Sequence, residues 1–133
     1  MLIPTIHFNG NCDEVIAFYK DTFGAEVKAI HYAKDAPAGS GLDDLPPHFV
    51  MYSEVLIGGV KMSLTDGAQT PLPFGHFSYM LNYDTEDEVT AIFNKLAVGG
   101  QVEEPLSTTF WSGLYGSVVD RFGVNWQVMV TQS

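Results

Sequence analysis

Two periods run through this chain, one of two residues and one of three to four, and they divide it into strands and helices. Leu2 to Phe8 reads as a short strand, with Pro4 near its start, where a missing amide costs least. Asn9-Gly10-Asn11 is a turn that offers an N-cap. From Asp13 to Phe23 the apolar residues Val15, Ile16, Phe18, Tyr19 and Phe23 fall on one broad helical face, and Gly24 closes the helix. Glu26 to Tyr32 alternates as a strand. Lys34 to Pro47 is a Pro-, Gly- and Asp-rich loop whose length points to a functional segment. His48 to Leu56 and Val60 to Thr65 are strands joined at Ile57-Gly58-Gly59, a hairpin turn.

After a second Pro/Gly-rich break, Asp66 to Phe74, the pattern starts again. Gly75 to Tyr83 is a strand. Thr85 with Glu88 forms a capping box ahead of Val89, Ile92, Phe93 and Leu96, which share a helical face, and Gly99-Gly100 stops the helix. Gln101 to Leu106 is a strand. The chain closes on a ribbon: Phe110-Trp111, the strand Tyr115 to Val119, an Asp120-Arg121-Phe122-Gly123 turn, and the strand Val124 to Val130. In that last strand Trp126, Val128 and Val130 face one way and Asn125, Gln127 and Met129 the other. Trp126, Phe18 and Phe93 read as core.

Each half thus spells strand, helix and three strands. A βαβββ module of this size cannot cover its own sheet, so the expected architecture is α+β. Modules 1–68 and 74–133 would pair within one domain, 1–133, into a curved mixed sheet around a cleft. Six basic against sixteen acidic residues leave a formal charge of -10, which repels nucleic acid and anionic membranes. The single Cys12 permits no internal disulfide. With no apolar run long enough to span a bilayer and no signal peptide at the start, a cytoplasmic protein is expected. Cys12 lacks basic neighbours and is not read as a nucleophile.

Four segments carry a family resemblance over essentially the whole chain: FNGNCDEVIAFYKDTFGAEV (Phe8 to Val27), VMYSEVLIGGVKMSLTDG (Val50 to Gly67), YMLNYDTEDEV with KLAVGG, and TFWSGLYGSVVDRFGVNW. They resemble the vicinal oxygen chelate superfamily of glyoxalases, bleomycin-resistance proteins and extradiol dioxygenases. The resemblance is greatest to its PhnB-like branch, often labelled demethylubiquinone methyltransferase-like. It implies a homodimer and, in the metalloenzymes of the group, one His or Glu ligand from each of four cleft-facing strands. The corresponding positions here are Pro4, Ser63, Ser78 and Gln127, none of which suits a divalent transition metal. No metal or other cofactor is therefore expected. The alternative is a displaced ligand set of His7, Glu54 and His76, in which His76 shares the face of Ser78 while His7 has the opposite parity to Pro4.

The resemblance and the polar cleft positions together imply a small-molecule ligand bound between the modules by Ser63, Ser78, Gln127, Asn125, Trp111 and Lys61. Tyr115 is a further candidate, and Ile6, Phe8, Met62, Met80 and Met129 would form an apolar wall. Trp111 reads equally as a plug for its own hairpin, and Lys61 as a solvated strand-end cation. A metal-dependent lyase, isomerase or dioxygenase is the alternative function. The labelled methyltransferase activity would need a glycine-rich loop after a parallel strand, whereas Gly58-Gly59 and Gly99-Gly100 belong to a hairpin and a helix stop.

Overall fold

The computed structural model describes residues 1–42, 44–67 and 77–131. It divides into two compact units, Met1–Leu72 and Pro73–Ser133, each built from a four-stranded mixed sheet and one helix. In the first, β1 (Thr5–Phe8), α1 (Cys12–Phe23), β2 (Glu26–Tyr32), β3 (Val50–Ile57) and β4 (Val60–Asp66) give the strand order β1-β4-β3-β2. In the second, β5 (Tyr79–Tyr83), α2 (Glu86–Ala97), β6 (Gln101–Ser107), β7 (Tyr115–Val119) and β8 (Asn125–Val130) give β5-β8-β7-β6. Both sheets pair their first and last strands in parallel and the rest antiparallel, so the repeated element order is also a repeated topology. The architecture is α+β, as the periodicities predict.

Each helix covers one face of its own sheet. α1 packs on β3 and β4, and Val15, Ile16 and Tyr19 are buried there with Ile6, Phe8, Val55, Met62 and Leu64. α2 lies over β7 and β8, burying Val89, Phe93 and Leu96 with Val118, Trp126 and Val128. Phe18, read as core, is only half-buried: Tyr19 takes the central place on the helix face and Phe18 falls at its margin. At Gly116 a methyl group would sit 2.7 Å from Cε2 of Phe93 and 2.9 Å from Cδ2 of Leu106, so helix and strand approach closely there because no side chain intervenes.

The ends of the elements are closed by two kinds of device. Thr85 caps α2 as expected: its Oγ1 accepts from Glu88 N at 3.2 Å, from the extended backbone (φ -125°, ψ 152°) that a cap requires. Asn11 does not cap α1. Its backbone (φ -113°, ψ 15°) aims the side chain elsewhere, and Asp66, 54 positions after Cys12, does the work. Oδ1 of the buried Asp66 accepts from Gly10 N (2.8 Å) and Cys12 N (3.0 Å), and Oδ2 accepts from Val50 N (3.0 Å). Asp120 does the same in the second unit. Its Oδ1 accepts from Phe122 N (2.9 Å) and Val124 N (3.0 Å), and its Oδ2 from the indole Nε1 of Trp126 (2.9 Å).

Cys12 opens α1 and is fully buried. Its thiol pKa is pushed far upward, first by burial and then by the negative charges of Asp66 and Asp13. The thiolate is therefore suppressed, in line with the reading that Cys12 is no nucleophile.

Three outcomes follow. Asp66→Ala and Asp120→Ala each strip acceptors from three donors and should lower stability by about 3 kcal/mol in urea unfolding. Asp120→Asn keeps one acceptor oxygen and should lose less; equal stability of wild type and both alanine variants would contradict this account. Gly116→Ala should cost about 1–3 kcal/mol by overpacking against Phe93. Thiol labelling of Cys12 at neutral pH should track unfolding, with labelling as fast as a free thiol in the folded protein as the contrary result.

Candidate functional site

With one face of each sheet committed to its helix, chemistry is confined to the other. In β8 the buried Trp126 and Val128 face α2, and the half-buried Asn125, Gln127 and Met129 face away. The register carries this face across the sheet: Met80, Gln127 and Ser117 form one row, Asn82, Met129 and Tyr115 the next, and Asn125 pairs with Val119. Gln127 is the centre of the polar part. Its Nε2 donates to Oγ of the exposed Ser78 at 2.7 Å, and its Oε1 accepts from the Tyr115 hydroxyl at 3.2 Å.

Aromatic rings border this amide. Trp111 stands edge-on to Tyr115, with ring centres 5.3 Å apart, and edge-on to Phe110 at 4.8 Å. It keeps 38% of its surface exposed while Phe110 is almost fully exposed, so Trp111 both braces Tyr115 and offers a free ring surface. The loop holding Trp111 is tied to the strand ends. Thr109 Oγ1 accepts from Ser112 N (3.1 Å), and the Ser112 hydroxyl lies within bonding distance of the carbonyl oxygens of Leu114 (2.9 Å) and Val130 (3.1 Å).

The face of the first sheet turned away from α1 carries Lys61, Ser63 and Thr65 on alternate positions of β4. Thr5 pairs with Ser63 and His7 with Thr65, and Nδ1 of His7 lies 2.7 Å from Thr65 Oγ1. Two expectations change here. Pro4 precedes β1 and serves through its carbonyl, which accepts from Ser63 N, so the β1 residue opposite Ser63 is Thr5. His7 has the parity of Thr5, and therefore lies on the same face as Ser63 and not on the opposite one. Lys61 is not a solitary cation either: its Nζ lies 2.6 Å from Glu54 Oε1, and that hydrogen bond, with the carboxylate's charge, raises its pKa.

The apolar wall is also redistributed. Ile6, Phe8 and Met62 have the core parity and are buried with α1, whereas Met80, half exposed, and Met129 do share the face of Gln127. His76 lies outside the described residues. Loop 34–47 contributes a small cavity of about 190 Å³, lined by Ala33, Ala36, Pro37, Leu42 and Leu45 with Lys34 as its charged member, and none of the residues named for ligand binding lines it. The Tyr115–Gln127 bond escaped the sequence reading as a pair. Its signal was present, since Tyr115 lies opposite Met129 and is therefore the diagonal neighbour of Gln127.

Among the described residues, the side chains at the ligand positions that the resemblance implies are poor donors for a divalent transition metal. Ser78 and Gln127 offer a hydroxyl and an amide already bonded to each other, and Ser63 offers a buried hydroxyl. His7 is engaged with Thr65 and Glu54 with Lys61. Among the described residues no three His, Cys, Asp or Glu side chains converge.

A family model described as 3-demethylubiquinone-9 3-methyltransferase matches residues 1–129. Protein YjdN of Escherichia coli (strain K12) is 29% identical, over 98% of this chain and 95% of its own. The crystal structure of protein PA1353 from Pseudomonas aeruginosa is 31% identical with a TM-score of 0.84, over 100% of this chain and 98% of that one. The PhnB protein from Bacillus cereus is 22% identical with a TM-score of 0.80, over 98% of each chain. More distant is a variant of the fosfomycin resistance protein FosX from Listeria monocytogenes, complexed with Mn(II) and 1S,2S-dihydroxypropylphosphonic acid. It is 13% identical with a TM-score of 0.69, over 99% of this chain and 92% of its own, and shows the fold alone. The match along nearly the full length, on an architecture shared with PhnB and FosX, makes this chain a member of that PhnB-like family, within the vicinal oxygen chelate fold.

Proposed function

We propose that the chain is a small-molecule-binding protein of the PhnB-like family that works without the divalent cation of the fold's metalloenzymes. Its ligand is seated against Gln127, Ser78, Tyr115 and Trp111. One observation carries this reading: the position that would supply a metal-binding carboxylate is an amide, and that amide is spent on two hydroxyls beside a partly exposed tryptophan. Polar groups on a half-buried face need partners, and an organic ligand satisfies them as water does. Asn125 extends the row along β8, while Ser63 and Lys61 belong to the corresponding face of the first unit. The same proposal takes the protein as a homodimer, which light scattering reads directly as twice the chain mass.

The labelled methyl transfer is not carried into this proposal. Gly58 and Gly59 turn a hairpin and Gly99 ends α2, all with positive φ, so these glycines are engaged in turns and do not form a loop that cradles a nucleotide. A second reading, metal-dependent lyase, isomerase or dioxygenase chemistry, draws on the shared face of His7 and Ser63 and on Glu54, which is paired with Lys61 of the same strand as Ser63.

Metal analysis of purified protein, with thermal unfolding in the presence of Mn²⁺, Ni²⁺ or Zn²⁺, separates the two. A cation at a hundred times its Kd adds about 2.7 kcal/mol to stability, enough to move the midpoint by several degrees. The proposal expects no stoichiometric metal and no such movement. A bound equivalent of metal that is lost in His7→Ala or Glu54→Ala would replace it with the second reading.

A further inference from the structure

We propose that Gln127 sets the Ser78 and Tyr115 hydroxyls to opposite polarity, and that the resulting Ser78 donor, joined through Gln127 to the tyrosine that Trp111 braces, selects an uncharged ligand with a flat apolar body and a carbonyl oxygen. The inference rests on the ligand-binding reading above and names the ligand class. A primary amide has one accepting and one donating end. With Tyr115 O–H spent on Oε1 (3.2 Å), the tyrosine oxygen is left with lone pairs only. With Nε2 spent on Ser78 Oγ (2.7 Å), the serine keeps its own proton to give away. Reversing the amide exchanges the two ends and again leaves one donor and one acceptor, so the opposed pair does not depend on which way the amide is placed.

Charge narrows the class further. The row of Met80, Gln127 and Ser117 continues through the register to Glu104, and this row contains no cation, so an anionic group would meet a carboxylate and find no counter-charge. The formal charge of -10 acts in the same direction. For the body of the ligand, Trp111 supplies a ring braced edge-on by Tyr115 and Phe110, and Met80 and Met129 supply deformable apolar surface on the same face.

The test uses the full isotope-labelled chain and three fragments of nearly one shape: acetophenone, ethylbenzene and benzoate, with affinities and sites read from nuclear magnetic resonance titrations. Acetophenone should bind roughly tenfold more tightly than ethylbenzene, benzoate should bind most weakly, and the largest shifts should fall on the Trp111 indole and the Gln127 side-chain amide. In Gln127→Glu the carboxylate accepts from both hydroxyls and draws the serine proton inward. The ketone should then lose its advantage, to within about twofold of ethylbenzene. Ser78→Ala, at an exposed position, should do the same if the first variant misfolds. Equal binding of ketone and hydrocarbon on this face of wild type, or a ketone preference that survives both variants, overturns the inference and leaves the binding reading standing. Absence of shifts on this face with all three fragments overturns both.

Discussion

A carboxylate placed where backbone amides converge is the interaction on which each unit of this protein depends. Asp66 gathers the start of α1, the start of β3 and the end of β4 into one knot of three accepted hydrogen bonds. Asp120 gathers the β7–β8 turn and the indole of Trp126. Both side chains are buried, and a buried carboxylate is tolerable only because its lone pairs are filled by donors that would otherwise be orphaned. These are three-way junctions: removing the aspartate exposes a helix end or a turn to an unmet demand for acceptors.

The knot at Asp120 also determines what the candidate site can be. By bonding the Trp126 indole it holds that ring on the α2 side of β8, and the pleat then sends Gln127 to the other side. A slip of one residue would put the amide in the core and the indole on the face of Ser78 and Tyr115. Gly116 reinforces the choice from β7, since Phe93 occupies the space a side chain would need. The polar cluster of Ser78, Gln127 and Tyr115 is thus a consequence of packing on the far side of the same sheet.

The comparison with FosX separates fold from chemistry. That protein, as a variant, is seen with Mn(II) and an organic phosphonate on an architecture like this one at 13% identity. Here the polar positions hold hydroxyls, an amide, a histidine facing a threonine and a glutamate facing a lysine. A scaffold of two βαβββ units constrains where side chains point and leaves open which atoms they bring, so activity has to be argued from donors and acceptors and not from the family description.

The sequence by itself determined the elements, the duplicated order, the N-cap at Thr85, the turn at Asp120 to Gly123 and the inward face of Trp126, because each is written in residues a few positions apart. It mistook the roles of Pro4, Phe18 and Asn11 and sent Ile6, Phe8 and Met62 to the wrong face. Strand boundaries, parity relative to a distant strand and the identity of a helix cap are settled by partners that local periodicity does not name. Only the tertiary structure decided that Asp66 caps α1 from 54 residues away, that His7 meets Thr65, that Lys61 is bound to Glu54, and that Tyr115 and Ser78 share one amide. Hydrogen bonds are short and directional, and sheet pairing brings together atoms that the chain itself keeps far apart.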